Sequence, residues 1–199
     1  MNGGFKFKSL LLAGTLSLIS PLPGKCQPFQ AQYPIYEDVD GYAVLSLLLG
    51  RHYDHTSPAL QVYALTIGDK GAISLSDKAC RNRIPKELES ARTDFEQKNR
   101  VRMRLVNHFS VAPAYKLLEK PEVLVLPPIA PGDQELRIED RRPFYAVSAV
   151  GFNQSRTRAI ARVDVYCGPE CYSGGYYLLK KNSKGWILLE GSPVCEAIA

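Results

Sequence analysis

The sequence predicts an α+β fold built around a C-terminal antiparallel β-meander of about four strands. Four short segments with strand-like patterns fill the last third of the chain, and the short polar connections between them favour an antiparallel meander. Two longer upstream segments have helical composition, and a strand–turn–strand pattern lies between them. We therefore expect an N-terminal helix, a hairpin and an amphipathic helix to pack against the meander in a single α+β domain.

Residues 1–26 have the three parts of a secretory signal peptide. Lys6 and Lys8 supply a positive start, and Ser9 to Ile19 is apolar. The next segment, Ser20 to Gly24, contains two prolines and a glycine, which end the apolar stretch. The apolar stretch is shorter than the roughly 20 residues that span a bilayer. We expect a cleaved signal and no transmembrane anchor in the mature chain, with a buried N-terminal helix as the alternative.

Cleavage before Gln27 places two small residues, Gly24 and Cys26, at the −3 and −1 positions. A lipoprotein would instead carry its lipid on Cys26, although Lys25 stands where that chemistry prefers a small residue. The expected product is a periplasmic or secreted domain of residues 27–199, and a lipoprotein anchored through Cys26 is the minor alternative.

The charge balance argues against a nucleic-acid partner. The formal net charge is +5, but three of the 25 basic residues, Lys6, Lys8 and Lys25, fall within residues 1–26 and no acidic residue does, so the mature chain carries +2. A near-neutral domain has no general electrostatic reason to bind nucleic acid or an anionic membrane.

Before the meander, the sequence predicts two helices and a hairpin. In chain order they are a helix over Tyr42–Leu49, a hairpin of Ala59–Ile67 and Ala72–Leu75 joined at Gly68–Gly71, and a helix over Pro85–Asn99. Asp38 or Asp40 is placed to cap the first helix, and Gly50 to end it. In the first strand of the hairpin, Leu60, Val62, Ala64 and Thr66 alternate with Gln61, Tyr63, Leu65 and Ile67. Pro85 is tolerated at the start of the second helix.

The second helix carries a narrow apolar stripe of Leu88, Ala91 and Phe95, which predicts a helix lying on the surface. After it, Val101 to Val111 is interpreted as containing a strand. Prolines, a glycine and charges then predict a mobile loop near residues 127–143.

The meander is predicted from four segments joined by short polar connections. They are Tyr145–Phe152, Thr157–Tyr166, Gly174–Lys181 and Gly185–Glu190. In the second of them, alternation places alanines and valines on one face and Arg158, Ile160, Arg162, Asp164 and Tyr166 on the other. One face of the sheet is therefore expected to be dry and the other mixed.

The chain has five cysteines, and loss of Cys26 with the signal leaves four. These are Cys80, Cys167, Cys171 and Cys195. An even number in an oxidising compartment indicates two disulfides, for which three pairings exist. We favour Cys167–Cys171 with Cys80–Cys195, because a Gly-Pro-Glu turn brings the first pair close. The competing interpretations are a redox pair, whose usual spacing is CxxC, and a zinc site, for which no second close pair is present.

Four aromatic residues are the candidate binding surface: Tyr166, Tyr172, Tyr176 and Trp186. Aromatic rings with polar tips, gathered near the disulfide hairpin on the mixed sheet face, suit a shallow site for a protein, peptide or glycan in the envelope or medium. The alternative is that helices cover these rings as part of the core.

Catalytic and metal motifs give little support to an enzyme. His52 and His55 have HxxH spacing, but a metal site needs a third ligand, and Ser57-Pro58 indicates that the helix has ended. Ser148 lies in a strand pattern and not in a Gly-x-Ser-x-Gly elbow. The sequence therefore predicts an accessory or binding domain with no cofactor and no metal, and the alternative is a hydrolase with a non-standard active site.

The last 50 or so residues contain motifs that are similar to those of a known group of proteins. It rests on Val150-Gly151-Phe152-Asn153, Thr157–Val165, Cys167–Cys171, Gly174–Leu179 and Gly185-Trp186. These residues resemble a group of uncharacterised bacterial exported proteins whose chains close on the pattern VGFN…CGxxCxxGYYxLxKxxxGW. In this chain, Pro169-Glu170 replaces the small or apolar pair that is usual between the two cysteines. The resemblance implies export and a CxxxC hairpin, and it supplies no catalytic residues.

Overall fold

The computed structural model describes residues 33–52, 59–68, 74–111, 114–119, 143–168 and 171–198. These residues belong to one compact unit, Tyr33–Ala199. The predicted signal peptide with Cys26, and the predicted loop at 127–143 apart from Pro143, lie outside the described residues.

The described elements are helices and a mixed sheet. The helices are α1 (Val39–His52), α2 (Lys78–Arg81) and α3 (Glu89–Lys98), with a 3₁₀ turn at Lys86–Leu88. The strands are β1 (Leu60–Tyr63), β2 (Tyr115–Leu118), β3 (Phe144–Val147), β4 (Gly151–Phe152), β5 (Arg158–Gly168), β6 (Cys171–Asn182), β7 (Gly185–Leu188) and β8 (Val194–Ile198). The α+β class is confirmed, but the sheet has eight strands and is larger than a four-strand meander.

Both predicted helices are present, with different ends. Asp38 caps α1, because the backbone N–H of Gly41 donates to its Oδ1 at 3.0 Å. Gly50 does not end this helix, which continues to His52. The second predicted helix begins as the 3₁₀ turn and continues as α3, and its apolar stripe is buried.

The sheet runs in the order β2-β1-β3-β5-β6-β7, with β4 also paired to β5 and β8 also paired to β6. Strand β1 is parallel to β2 on one side and to β3 on the other. The two neighbours of β1 therefore come from distant parts of the chain. Most of the predicted hairpin turn at Gly68–Gly71, and residues 72 and 73 of its second strand, lie outside the described residues. The predicted strand within Val101–Val111 is reduced to single bridges at Arg104.

The first predicted strand of the meander is divided into β3 and β4, which both pair with β5. The break lies at Ala149 and Val150, whose backbone groups bond to side chains instead of a neighbouring strand. The Asn99 amide bonds both the N–H and the C=O of Ala149, at 2.9 and 3.0 Å. The N–H of Val150 donates to the hydroxyl of Tyr36 at 3.2 Å. Buried backbone groups thus stay satisfied where the ladder stops.

The sheet is covered on both faces, and each face has its own apolar cluster. On the α1 face, residues of α1 pack on Val62, Val147, Ala161, Val163 and Leu179. On the α3 face, Leu88, Ala91 and Phe95 pack on Ile160, Tyr176 and Leu178. Neighbouring residues of β5 and β6 alternate between these clusters, as the period of a strand requires. The face expected to be mixed is therefore partly covered by α3.

Two disulfides fasten this arrangement, and they have the pairing favoured from the sequence. Cys80 of α2 is joined to Cys195 of β8 with their Cα atoms 5.3 Å apart, and Cys167 is joined to Cys171 at 5.0 Å. On the chain-entropy model, the long closure stabilises the fold by about 5 kcal/mol and the short one by about 2 kcal/mol. Two disulfides fit an oxidising environment.

Candidate functional site

A row of side chains crosses five strands on the α3 face, beyond the part that α3 covers. Its members lie directly opposite one another in consecutive strands, so their side chains point to the same face. They are Lys116 of β2, Gln61 of β1, Phe144 of β3, Tyr166 of β5 and Tyr172 of β6. With strands about 4.8 Å apart, the row is about 19 Å long. Lys116 is exposed and the other four residues are half-buried.

The three rings of this aromatic row (Phe144, Tyr166 and Tyr172) contact one another. The rings of Phe144 and Tyr166 are stacked, with centroids 4.8 Å apart and planes inclined by 9°. The rings of Tyr166 and Tyr172 are 5.2 Å apart and tilted by 51°. These separations are typical of favourable aromatic pairs, so the rings hold one another in place while each remains partly accessible.

A buried ion pair lies beside the aromatic row on the same face. Arg162 donates from Nε and Nη2 to the two carboxylate oxygens of Asp164, both at 2.8 Å. The side chains of Arg162 and Asp164 are 4% and 2% exposed. Two parallel bonds of this kind are the strongest geometry for an arginine–carboxylate pair. The pair is therefore fixed in orientation as well as neutralised in charge.

The ion pair is connected to the tyrosines of the aromatic row. Arg162 Nη2 also donates to the hydroxyl of Tyr172 at 3.0 Å, and the hydroxyl of Tyr166 points to Asp164 Oδ2 at 3.5 Å. Burial lowers the pKa of Arg162, but the hydrogen bonds and charge of Asp164 more than offset this and leave its pKa raised. Arg162 therefore stays charged and holds the hydroxyl end of Tyr172.

Gly174 makes room for this arrangement. It lies opposite Asp164 in the ladder between β5 and β6. A Cβ atom at Gly174 would collide with Asp164 Oδ1 and with the hydroxyl of Tyr172. A side chain at this position is thus incompatible with both contacts as they stand.

The hydroxyl groups of the aromatic row remain protonated at neutral pH. Burial, together with the charge of Asp164, raises the pKa of Tyr166 to about 12. Burial and the charge of Asp164 also raise the pKa of Tyr172, although Arg162 opposes them. Both groups can therefore donate and accept hydrogen bonds, which suits a neutral, hydroxyl-rich or amide-rich ligand.

Two of the four predicted surface aromatics lie elsewhere. Tyr176 is 1% exposed, and its ring lies 5.6 Å from that of Phe95 in α3. Trp186 lies on the α1 face, where it is 9% exposed and packs 5.4 Å from Phe152. Both are core residues, as the alternative interpretation of the sequence allowed, while Tyr166 and Tyr172 are together in the aromatic row.

Five residues of this region did not enter the predicted site: Gln61, Lys116, Phe144, Arg162 and Asp164. The alternation in β5 already placed Arg162 and Asp164 on the same face as Tyr166. Phe144, Gln61 and Lys116 join the row through pairings between β2, β1, β3 and β5, and no local pattern in the sequence reveals these pairings.

His52 is surrounded by tyrosines. Its Nε2 is 2.9 Å from the hydroxyl of Tyr177, and the hydroxyl of Tyr145 donates to its backbone oxygen at 2.9 Å. His55, the second histidine of the HxxH spacing, lies outside the described residues. Within the described ranges, no group of three or more His, Cys, Asp and Glu residues is arranged to hold a metal ion. Among the helices of the described part of the chain, none has the length and apolarity to cross a membrane.

The aromatic row, the ion pair beside it and the glycine that admits both form one continuous feature of the α3 face. No protein-family model matches the chain, and searches of curated proteins and of solved structures return no match. The function is therefore inferred from the geometry of these residues.

Proposed function

We propose that this protein is an exported domain that binds a glycan along the aromatic row and does not turn it over. The observation that carries the proposal is the alignment of three half-buried rings in one register across three strands. Gln61 and Lys116 extend the same line with an amide and an ammonium group.

The chemistry of the row suits sugar rings. Aromatic side chains offer an apolar surface to the C–H groups of a sugar, and their hydroxyls, with the Gln61 amide and the Lys116 ammonium group, offer donors and acceptors to its hydroxyls. A row that crosses the strands on a sheet face favours an extended ligand lying flat on it. A peptide that binds a sheet through main-chain hydrogen bonds adds to its edge, whereas this row lies on a face.

The charges on this face favour a neutral ligand over a polyanion. Arg162 is paired with Asp164, so its charge is balanced and buried beside the tyrosines. Among the five residues that cross the strands in this line, Lys116 is the cation. Nucleic-acid affinity depends on several unpaired cations contacting phosphates, which this arrangement does not offer.

The row is also organised before any ligand arrives. Tyr172 is held by Arg162 at its hydroxyl and by Tyr166 at its ring. Side chains that are already fixed lose less conformational entropy on binding, and this raises affinity. Export is supported by the pattern of residues 1–26 and by the two disulfides.

The test is calorimetric titration of the oxidised protein with chitohexaose and cellohexaose, and with soluble xylan and galactomannan. We expect binding to at least one of these glycans. Tyr166→Ala should weaken it by about tenfold or more, as truncation of a central aromatic contact usually does. Tyr33→Ala is the matched control, because Tyr33 is 38% exposed and lies outside the row.

Two results would overturn the proposal. One is the absence of binding heat with all four glycans. The other is an affinity that Tyr166→Ala leaves unchanged. Trp186 lies on the opposite face, so its fluorescence reports whether each variant is folded. Tyr176 is not a suitable position for this test, because it is buried under α3 and its replacement would disturb the core.

A further inference from the structure

The Cys167–Cys171 disulfide closes the β5–β6 hairpin immediately beyond the aromatic row. Cys167 follows Tyr166 and Cys171 precedes Tyr172, and these two tyrosines are directly paired across the strands. The ladder has a register shift after this pair and ends at Gly168 and Cys171. The disulfide is therefore the covalent closure of the end of the row.

The two disulfides differ in their exposure to solvent. Cys171 is exposed and Cys167 is half-buried. Cys80 and Cys195 are 5% and 8% exposed and lie within the apolar cluster of the α3 face. Thiol–disulfide exchange requires a thiolate to reach a sulfur atom in line with the bond that breaks, so accessible disulfides exchange more readily than buried ones.

We propose that Cys167–Cys171 is a site of thiol–disulfide exchange whose reduction loosens the end of the aromatic row and weakens ligand binding there. This inference rests on the proposed function for the ligand, but not for the exchange itself. The reductant is a dithiol. One of its thiolates attacks one protein sulfur and forms a mixed disulfide, while the Cys167–Cys171 bond breaks and the other cysteine leaves as a thiolate that takes up a proton. The second thiol of the reductant, as its thiolate, then attacks its own sulfur in the mixed disulfide, and the first cysteine leaves and is protonated in the same way. Two protein thiols and one oxidised dithiol result, with two electrons and two protons transferred to the protein.

Reduction should change the row and leave the fold in place. The Cys80–Cys195 link and both apolar clusters remain, so the sheet and helices persist. Beyond the Tyr166–Tyr172 pair, the hairpin end would be held by the single pairing that follows the register shift. The hydrogen bond from Arg162 still retains Tyr172, so binding is expected to weaken and not to disappear.

The experiment titrates the oxidised mature protein, residues 27–199, with dithiothreitol, blocks free thiols with iodoacetamide and maps the labelled peptides. We expect Cys167 and Cys171 to be labelled at a dithiothreitol concentration about tenfold lower than Cys80 and Cys195, since exposed disulfides are the more reducible ones. At that concentration the near-ultraviolet circular dichroism of the tyrosines should fall, while the fluorescence of Trp186 stays constant. Labelling of all four cysteines together, or an unchanged tyrosine signal, would overturn the exchange site.

A double variant, Cys167→Ser with Cys171→Ser, provides the matched control. It should reproduce the tyrosine signal of the selectively reduced protein and should not respond to low dithiothreitol. Any glycan that binds the oxidised protein, chitohexaose for example, should bind this variant about fivefold more weakly, because the tyrosines must be ordered again on binding. Equal glycan affinity of this variant and the oxidised protein would refute the proposal that reduction weakens ligand binding. If no glycan binds even the oxidised protein, the proposed function fails, and the order of labelling and the tyrosine signal still decide whether the exchange site exists.

Discussion

Replacing Asp164 by asparagine would test how strongly the buried ion pair supports the fold. The substitution keeps the shape of the side chain and removes its charge. Arg162 then loses the carboxylate that both its Nε and its Nη2 contact at 2.8 Å. The guanidinium cannot relax into water easily, because its side chain is 4% exposed.

The expected loss follows from the burial of the pair. Removing one partner of a buried ion pair destabilises a protein by about 3–5 kcal/mol, because it leaves the other charge in a poorly solvating interior. We expect the lower end of this range, since the hydroxyl of Tyr172 still accepts a bond from Arg162. For a domain of this size, each kcal/mol lowers Tm by roughly 2–4 °C, so the variant should melt roughly 6–12 °C lower.

Urea unfolding followed by Trp186 fluorescence and by circular dichroism measures this loss. Replacing both partners, Arg162→Met with Asp164→Leu, should be less harmful than the single change, because no unpaired charge remains. Arg81→Gln is the matched control: its pair with Glu89 is 58% and 50% exposed, and exposed pairs contribute at most about 1 kcal/mol. A loss below about 1 kcal/mol for Asp164→Asn would show that this pair behaves like a surface pair, and the reasoning would fail.

Three further changes test other parts of the structure. Gly174→Ala should lower Tm and the tyrosine circular dichroism, because its Cβ collides with Asp164 and Tyr172, whereas Gly191→Ala, which meets no atom, should not; equal effects in thermal melts would contradict this. Gly50→Ala should stabilise the protein by up to about 1 kcal/mol in urea unfolding, since Gly50 lies within α1 with open space around it. Burial, with a smaller effect from the charge of Arg51, lowers the pKa of His52 below its ordinary value of about 6.5. His52 is therefore protonated more readily in the unfolded chain than in the folded protein. The stability that its neutral ring contributes is present above about pH 6.5 and is lost as the pH falls below that value. His52→Gln should therefore flatten the pH dependence of the unfolding free energy between about pH 7 and pH 5.

The β5–β6 hairpin shows what the sequence could predict about the fold. Alanines and valines occupy every second position from Ala159 to Val165 of β5, and β6 is its neighbour in the chain, so local patterns predict both the strands and the faces of β5. Strand β1 shows the limit. Its partner strands begin at Tyr115 and Phe144. The sequence of a four-residue strand does not indicate which distant strands it pairs with in parallel.

The candidate site likewise contains residues that local patterns predict and residues that depend on strand pairing. Tyr166 and Tyr172 are brought together by the hairpin that the sequence predicts, so their proximity was accessible from the residues alone. Trp186 was misplaced because its face depends on the register of β7, in which it lies opposite Lys181 and not opposite a residue of the α3 face. Phe144 was missed because it reaches Tyr166 through β3, whose start the alternation pattern set one residue late.

The Arg162–Asp164 pair lies on the α3 face between the part buried under α3 and the half-buried aromatic row. On one side of it, Ile160 and Leu178 are buried under α3, and on the other side the tyrosines are half-buried. A one-residue slip of β5 would move Arg162 into the apolar cluster of the α1 face, where Ala161 and Val163 now pack. An unpaired charge there is strongly unfavourable, so the pair sets the register of the hairpin. The same register places Tyr166 opposite Tyr172, so the ion pair and the aromatic row depend on the same alignment of β5 and β6.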